Sequence, residues 1–287
     1  MIAVYSHWSL DRNSNGYNSF QDFLMTMSLS VLVTANNFKQ INFVTNDLGK
    51  NIFINQVKLP FTKVSTSQNQ FNSKLPQWLW GYAKLFAYTE QTEPFVHIDN
   101  DVFLWDGLPD EVSSKKMFFQ SLETPFEAGY GWYVPLLHIM SKCPNVPVVI
   151  KNHPVDYSYN CGIMGCNDPS LIKEWFIAST AYVRDPENLK VMSSNLFKDK
   201  LIHQNLLHEQ YFITSILDSK GLKPYEDVGL MLKTESLTED CYLKGRRYTH
   251  LWGLDKKNKE SMAKVYARMK DDFPEYYNRI LNLCKLY

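Results

Sequence analysis

The sequence predicts an α/β fold with a mixed, mostly parallel central sheet flanked by helices and ending in a helical tail. Three observations lead there. Short apolar runs alternate with amphipathic stretches from the first residues onward. Of the 287 residues, 45% are hydrophobic and 21% charged, proportions of a chain that buries a core and unlike those of a disordered or collagen-like one. Finally, the acidic tripeptide Asp99-Asn100-Asp101 follows directly on an apolar run, the place where open α/β sheets gather ligands.

Taken in order, Ile2-Ala3-Val4-Tyr5 reads as a buried strand that breaks at Ser6-His7-Trp8 into a polar loop. From about Ser19 to Ala35 the apolar residues Phe20, Phe23, Leu24, Met27 and Val31 recur at spacings of three and four, which predicts an amphipathic helix. Ile41 to Thr45 is a second strand, so the opening is β-α-β and implies parallel pairing with a right-handed crossover. A short helical piece near Ile52, the segment Phe61 to Val64 and a helix from about Gln77 to Tyr88 precede the apolar strand Phe95 to Ile98. Further on, Lys116 to Phe119 and Tyr157 to Met164 read as strands, and Pro169 to Val183 and Gln204 to Leu217 as helices. The tail from Lys257 reads as two helices, with Pro274 suited to the first turn of the second. Neither a repeat nor a long linker is visible, so one continuous domain is expected, with a nucleotide-binding half over 1–125, a more irregular half over 126–256 and the tail over 257–287.

Composition excludes several classes. Lys plus Arg and Asp plus Glu number 30 each, which removes the basic footprint of a dedicated nucleic-acid binder. The five cysteines, Cys143, Cys161, Cys166, Cys241 and Cys284, are sparse and form no C-x-x-C pair, which points to a reducing compartment rather than a disulfide framework or zinc knuckle. With no signal-peptide pattern over 1–8 and no run near the ~18 apolar residues of a membrane span, a cytoplasmic protein without a transmembrane segment is expected. Aromatic residues make up 14%, which suits a thick core and also a cleft that stacks on sugars or bases.

Four local patterns could carry chemistry. Asp99 and Asp101, two residues apart at a strand end, offer hard oxygen ligands of the kind that bind Mg²⁺ or Mn²⁺ with a diphosphate; an isolated pair of this type is also the composition of a solvated turn. In Tyr248-Thr249-His250-Leu251-Trp252-Gly253-Leu254-Asp255-Lys256, a histidine, a glycine three residues on and a lysine six on could supply an imidazole ligand, a close backbone and a cation for phosphate. Asn160-Cys161-Gly162-Ile163-Met164-Gly165 places glycine twice in a strand, marking either a bulge or a backbone that meets a ligand. Glu209-Gln210 enters an apolar helix and, alone, reads as an ordinary exposed helix start.

Together these motifs resemble, in order, those of metal-dependent nucleotide-sugar transferases of the GT-A (Rossmann-like) fold, nearest to glycosyltransferase family 8, the glycogenin and lipopolysaccharide galactosyltransferase group. The resemblance runs from about residue 1 to residue 258 and is specific at the motifs; Trp78 to Trp105 also resembles an uncharacterised bacterial domain family. It implies a Mn²⁺ or Mg²⁺ cofactor on Asp99, Asp101 and His250, with Asp99 also near the ribose. Gly253 and Lys256 would then hold the diphosphate, Lys84 would reach the nucleotide, Asn160 and Gly162 would border the donor sugar, and Glu209 and Gln210 would lie near the anomeric carbon. The implied partners are a nucleoside diphosphate sugar, foremost a UDP-sugar, and a glycan, lipid-linked or other hydroxyl acceptor, with retention of configuration and no nucleic acid. Where the family carries an acid after the first strand this chain has Ser6-His7-Trp8; its D-Q-D pattern reads Glu209-Gln210-Tyr211, and Lys257 replaces a proline. Two other readings stay open: a nucleotide- or glycan-binding module of the same fold, and a phosphatase with an aspartate nucleophile in the D-x-D.

Overall fold

A computed structural model of the chain describes residues 1–12, 15–123, 131, 133–194, 196–197, 202–231, 247–251 and 253–285. Among them lie strands β1 (Ile2–His7), β2 (Ile41–Thr45), β3 (Lys63–Ser65), β4 (Phe95–Ile98), β5 (Val102–Leu104), β6 (Met117–Glu123), β7 (Ser158–Cys166), β8 (Val228–Leu230) and β9 (Tyr248–His250). The chain divides into two compact units, one from Met1–Ser73, His97–Leu108 and Ser236–Tyr287, the other from Lys74–Val96 and Pro109–Glu235. The expected mixed, mostly parallel α/β architecture with a helical tail is present.

In the first unit the strand order is β3-β2-β1-β4, and β1 pairs parallel with β2, which pairs parallel with β3. The crossover helix Phe20–Thr34 starts at Ser19, whose hydroxyl accepts the Asp22 amide at 3.1 Å. Its spacing predicts one apolar face, yet every residue from Phe23 to Thr34 is buried. The reason is double cover: β5 packs on this helix, and so do the tail helices Lys259–Asp272 and Pro274–Cys284. The polar residues this buries are bonded. Tyr5 Oη lies 2.9 Å from Ser30 Oγ and 2.8 Å from Thr34 Oγ1, and Ser30 donates to the Val102 carbonyl. Pro274 occupies the first turn of the last helix, as expected.

In the second unit the order is β4-β7-β6-β8, with β6 antiparallel to β7 and parallel to β8. Strand β7 is buried along its whole length. Its two glycines have separate roles. A Cβ on Gly165 would lie 1.9 Å from the Phe118 ring, so this glycine makes room for core packing. Gly162 stands where the register between β6 and β7 shifts, and its amide donates to Asn160 Oδ1 at 2.9 Å. The helix Pro169–Val183 has the bounds its spacing predicts, capped by Asp168. The region read as a helix from Gln204 instead winds as a π-turn over Leu207–Tyr211 before the regular helix Phe212–Ser219. There the His208 carbonyl accepts from Trp175 Nε1 at 2.8 Å and Ser179 Oγ at 2.9 Å.

No helix among the described residues is long and apolar enough to cross a membrane. Cys143, Cys161, Cys166 and Cys284 are free thiols; Cys241 lies outside the described residues.

Candidate functional site

The first unit assembles Asp99, Asp101, His250 and Lys256. Strand β4 delivers Asp99 into a turn closed by the Val102 amide on the Asp99 carbonyl at 3.0 Å. Strand β5 then runs antiparallel to β9, with Val102 opposite His250, and the Leu251 amide donates to the Asp101 carbonyl at 3.0 Å. This pairing fixes the imidazole beside the carboxylates. One ligand atom each from Asp99, Asp101 and His250 lies within 4.8 Å of the others. His250 Nε2 is 3.4 Å from Asp101 Oδ1, and Lys256 Nζ forms a short ion pair with Asp101 Oδ2.

Asp101 is buried. Burial pushes its carboxyl up, but the Lys256 ammonium and the His250 ring outweigh burial and hold it well below the usual carboxylate range. The anionic form therefore persists at neutral pH, compensated by the Lys256 ammonium. Two carboxylate oxygens and one imidazole nitrogen around such a point fit a divalent cation. The turn Gly253–Lys257 carries Lys256; Gly253 enters it with φ +41°, a backbone favoured by glycine. Asn18 Nδ2 ties that turn down by donating to the Lys257 carbonyl at 3.0 Å, and Lys256 Nζ sits 5.6 Å from the centre of the Tyr17 ring. Trp252, within the same motif, lies outside the described residues.

The second unit holds the remaining candidates in a buried polar network. Lys84 Nζ lies 2.5 Å from Glu209 Oε1 and donates to the Cys161 carbonyl at 3.2 Å, with both charged side chains almost fully buried. Asn160 Nδ2 donates to Glu123 Oε1 at 2.8 Å, and Tyr133 Oη donates to Gln210 Oε1 at 2.6 Å. The exposed helix start expected of Glu209-Gln210 is corrected: both are buried, at 2% and 7% exposure, because the π-turn rotates them inward onto Lys84 and Tyr133. Burial raises the Tyr133 phenol far above its ordinary value, with Glu123 adding to the rise, so it stays a hydrogen-bond donor.

Sequence reasoning passed over His97, Ser6, Glu123 and Tyr133. For His97 a signal was present: it stands on a strand, two residues before Asp99. Glu123 and Tyr133 had no local signal, since their partners are 37 and 77 residues away.

The molecule is thus an α/β protein in which strand-end carboxylates and an imidazole distant in sequence meet in a cluster that could hold a metal ion. It belongs to a family of unknown function, DUF6734, whose sequence profile matches residues 1–283. No curated protein matches the chain. Among solved structures, the galactosyltransferase LgtC with donor and acceptor sugar analogues is similar over 80% of this chain and 73% of its own, at 14% identity and a TM-score of 0.38. The glycosyltransferase GlyE of Streptococcus pneumoniae TIGR4 is similar over 99% of this chain and 63% of its own, at 12% identity and a TM-score of 0.42. Mouse xyloside xylosyltransferase 1 in its apo form is similar over 92% of both chains, at 9% identity and a TM-score of 0.39.

Proposed function

We propose that the chain is a glycosyltransferase that moves a sugar from a nucleoside diphosphate sugar, foremost a UDP-sugar, to an acceptor hydroxyl with retention of configuration, using Mn²⁺ or Mg²⁺. The observation that carries the reading is the meeting of Asp99, Asp101 and His250 within 4.8 Å, with Lys256 on the Asp101 carboxylate. These are the residues to which the family 8 resemblance assigns the metal and the diphosphate, and they come from segments about 150 residues apart in the chain.

The chemistry follows from where charge develops. Breaking the anomeric C–O bond leaves negative charge on the diphosphate, and a divalent cation, when bound, neutralises part of it. Asp99, Asp101 and His250 are the residues to hold that cation. Lys256 is the chain's own cation for the departing diphosphate, and it is already held beside Asp101 with about a quarter of its side chain exposed. In the second unit, Gln210 Oε1 is held by the Tyr133 hydroxyl, and the family 8 resemblance assigns this residue to the sugar face. Glu209 is neutralised by Lys84, so its role in this reading is to fix that lysine and the β7 backbone at Cys161. Asn160 and Gly162 are assigned to the border of the donor sugar.

The test is a panel of UDP-, GDP- and CDP-sugars with and without Mn²⁺, following release of free nucleoside diphosphate, with Asp101→Asn as control. Metal-dependent release that Asp101→Asn abolishes supports transfer. Phosphate released from a phosphomonoester would instead indicate the aspartate phosphatase, and donor binding without turnover would indicate the binding module.

A further inference from the structure

Ser6 on β1, His97 on β4 and Asp99 at the end of β4 form a line within the first unit. Ser6 Oγ lies 3.0 Å from His97 Nε2, and His97 Nδ1 lies 3.6 Å from Asp99 Oδ1. His97 is 1% exposed and Ser6 7%, whereas the Asp99 side chain is 24% exposed. A buried imidazole thus lies beside a carboxylate that is partly exposed. The chain produces the arrangement, because Asp99 follows directly on β4, two residues after His97, and β1 is the neighbour of β4 in this unit.

We propose that His97 is a positioning residue for the cation site: Ser6 sets the ring, and the Nδ1 edge of the ring orients the Asp99 carboxylate toward Asp101 and His250. The inference rests on the metal-site reading above. The physics is that of a ligand held from behind. When the Ser6 hydroxyl donates to Nε2, the ring proton is on Nδ1 and faces Asp99 Oδ1, which biases the orientation in which that carboxylate would meet a cation. At 3.6 Å the contact is longer than a hydrogen bond, and the ring acts on the carboxylate through the dipole of its Nδ1 edge.

The experiment is Mn²⁺ titration of the full chain by calorimetry, with Mn²⁺ electron paramagnetic resonance as a second readout, alongside thermal unfolding of each variant. His97→Asn keeps an amide donor at the Nδ1 position; His97→Gln places one at the Nε2 position; His97→Phe has neither. The proposal expects His97→Phe and His97→Gln to bind Mn²⁺ about 10- to 100-fold more weakly and His97→Asn to stay close to wild type. A merely structural role would weaken Asn and Gln alike, in step with their melting temperatures, and that result overturns the proposal. If His97→Phe does not fold, the Asn and Gln pair still decides. Asp101→Asn separates the two layers of the argument. If it abolishes Mn²⁺ binding while His97→Gln and His97→Phe bind normally, the His97 role alone falls; if it leaves Mn²⁺ binding intact, the site reading falls and His97 with it.

Discussion

Replacing Lys256 with Met removes the strongest partner of a buried carboxylate. The Asp101 side chain is 11% exposed, and without the ammonium its one remaining ionic partner among the described residues is His250, with Nε2 at 3.4 Å. Breaking a fully buried pair costs about 3–5 kcal/mol. Lys256 itself is 24% exposed, so water already screens part of this interaction. The expected loss is therefore smaller, about 1–2 kcal/mol. The pH dependence has a definite sign. The folded-state pKa of Asp101 lies below its unfolded value, so the contribution is complete above about pH 4 and is lost as pH falls through the folded value. At neutral pH the variant should thus show its full deficit by urea unfolding. Saturating Mn²⁺ should restore more stability to the variant than it adds to wild type, because the cation replaces the missing charge. A variant that unfolds at the wild-type urea concentration, or that gains no more from Mn²⁺ than wild type does, would refute the electrostatic account of Asp101.

Three further outcomes are expected. Lys84→Met should cost about 3–5 kcal/mol by leaving the Glu209 carboxylate buried without its cation, and the double variant Lys84→Met/Glu209→Leu should recover part of that in a urea-unfolding cycle; a double variant as unstable as the sum of the singles contradicts the pairing. Gly165→Ala forces a methyl into the Phe118 ring and should destabilise by more than about 2 kcal/mol or abolish soluble expression; unchanged thermal unfolding would disprove the packing role assigned to this glycine. His208 is fully buried, neither ring nitrogen has a hydrogen-bond partner among the described residues, and burial pushes its pKa down to about 3. The unfolded chain takes up that proton below about pH 6.5 while the native state does not, so stability falls as pH drops from there. His208→Leu should reduce the fall by about 1.4 kcal/mol per pH unit between those limits, read from urea midpoints at several pH values; an unaltered slope would show that His208 is not its source.

Most of the strand and helix pattern is legible in the sequence because it is written in local periodicity. Ile41–Thr45, Phe95–Ile98 and Pro169–Val183 have the bounds their spacing predicts. The Phe20–Thr34 helix is legible in place but not in environment, since the helices that cover its second side lie at the other end of the chain. Strands β5, β8 and β9 have three residues each, too few to show a period. The site divides in the same way. Asp99 and Asp101 announce themselves because two acids directly after an apolar strand is a local pattern. That His250 reaches them depends on the β5/β9 ladder, a pairing no local pattern encodes. The inward turn of Glu209 and Gln210 was hidden because a π-turn and a regular helix start share one composition, and only the distant partners Lys84 and Tyr133 distinguish them.

Asp99, Asp101 and His250 are expected to bind one divalent cation. Anomalous diffraction at the manganese edge, from crystals grown with Mn²⁺ and UDP, tests it most directly. A single strong peak is expected, coordinated by the two carboxylates and His250 Nε2, with Lys256 drawn from Asp101 onto the diphosphate. A peak coordinated by other residues, or none with Lys256 still on Asp101, would contradict it.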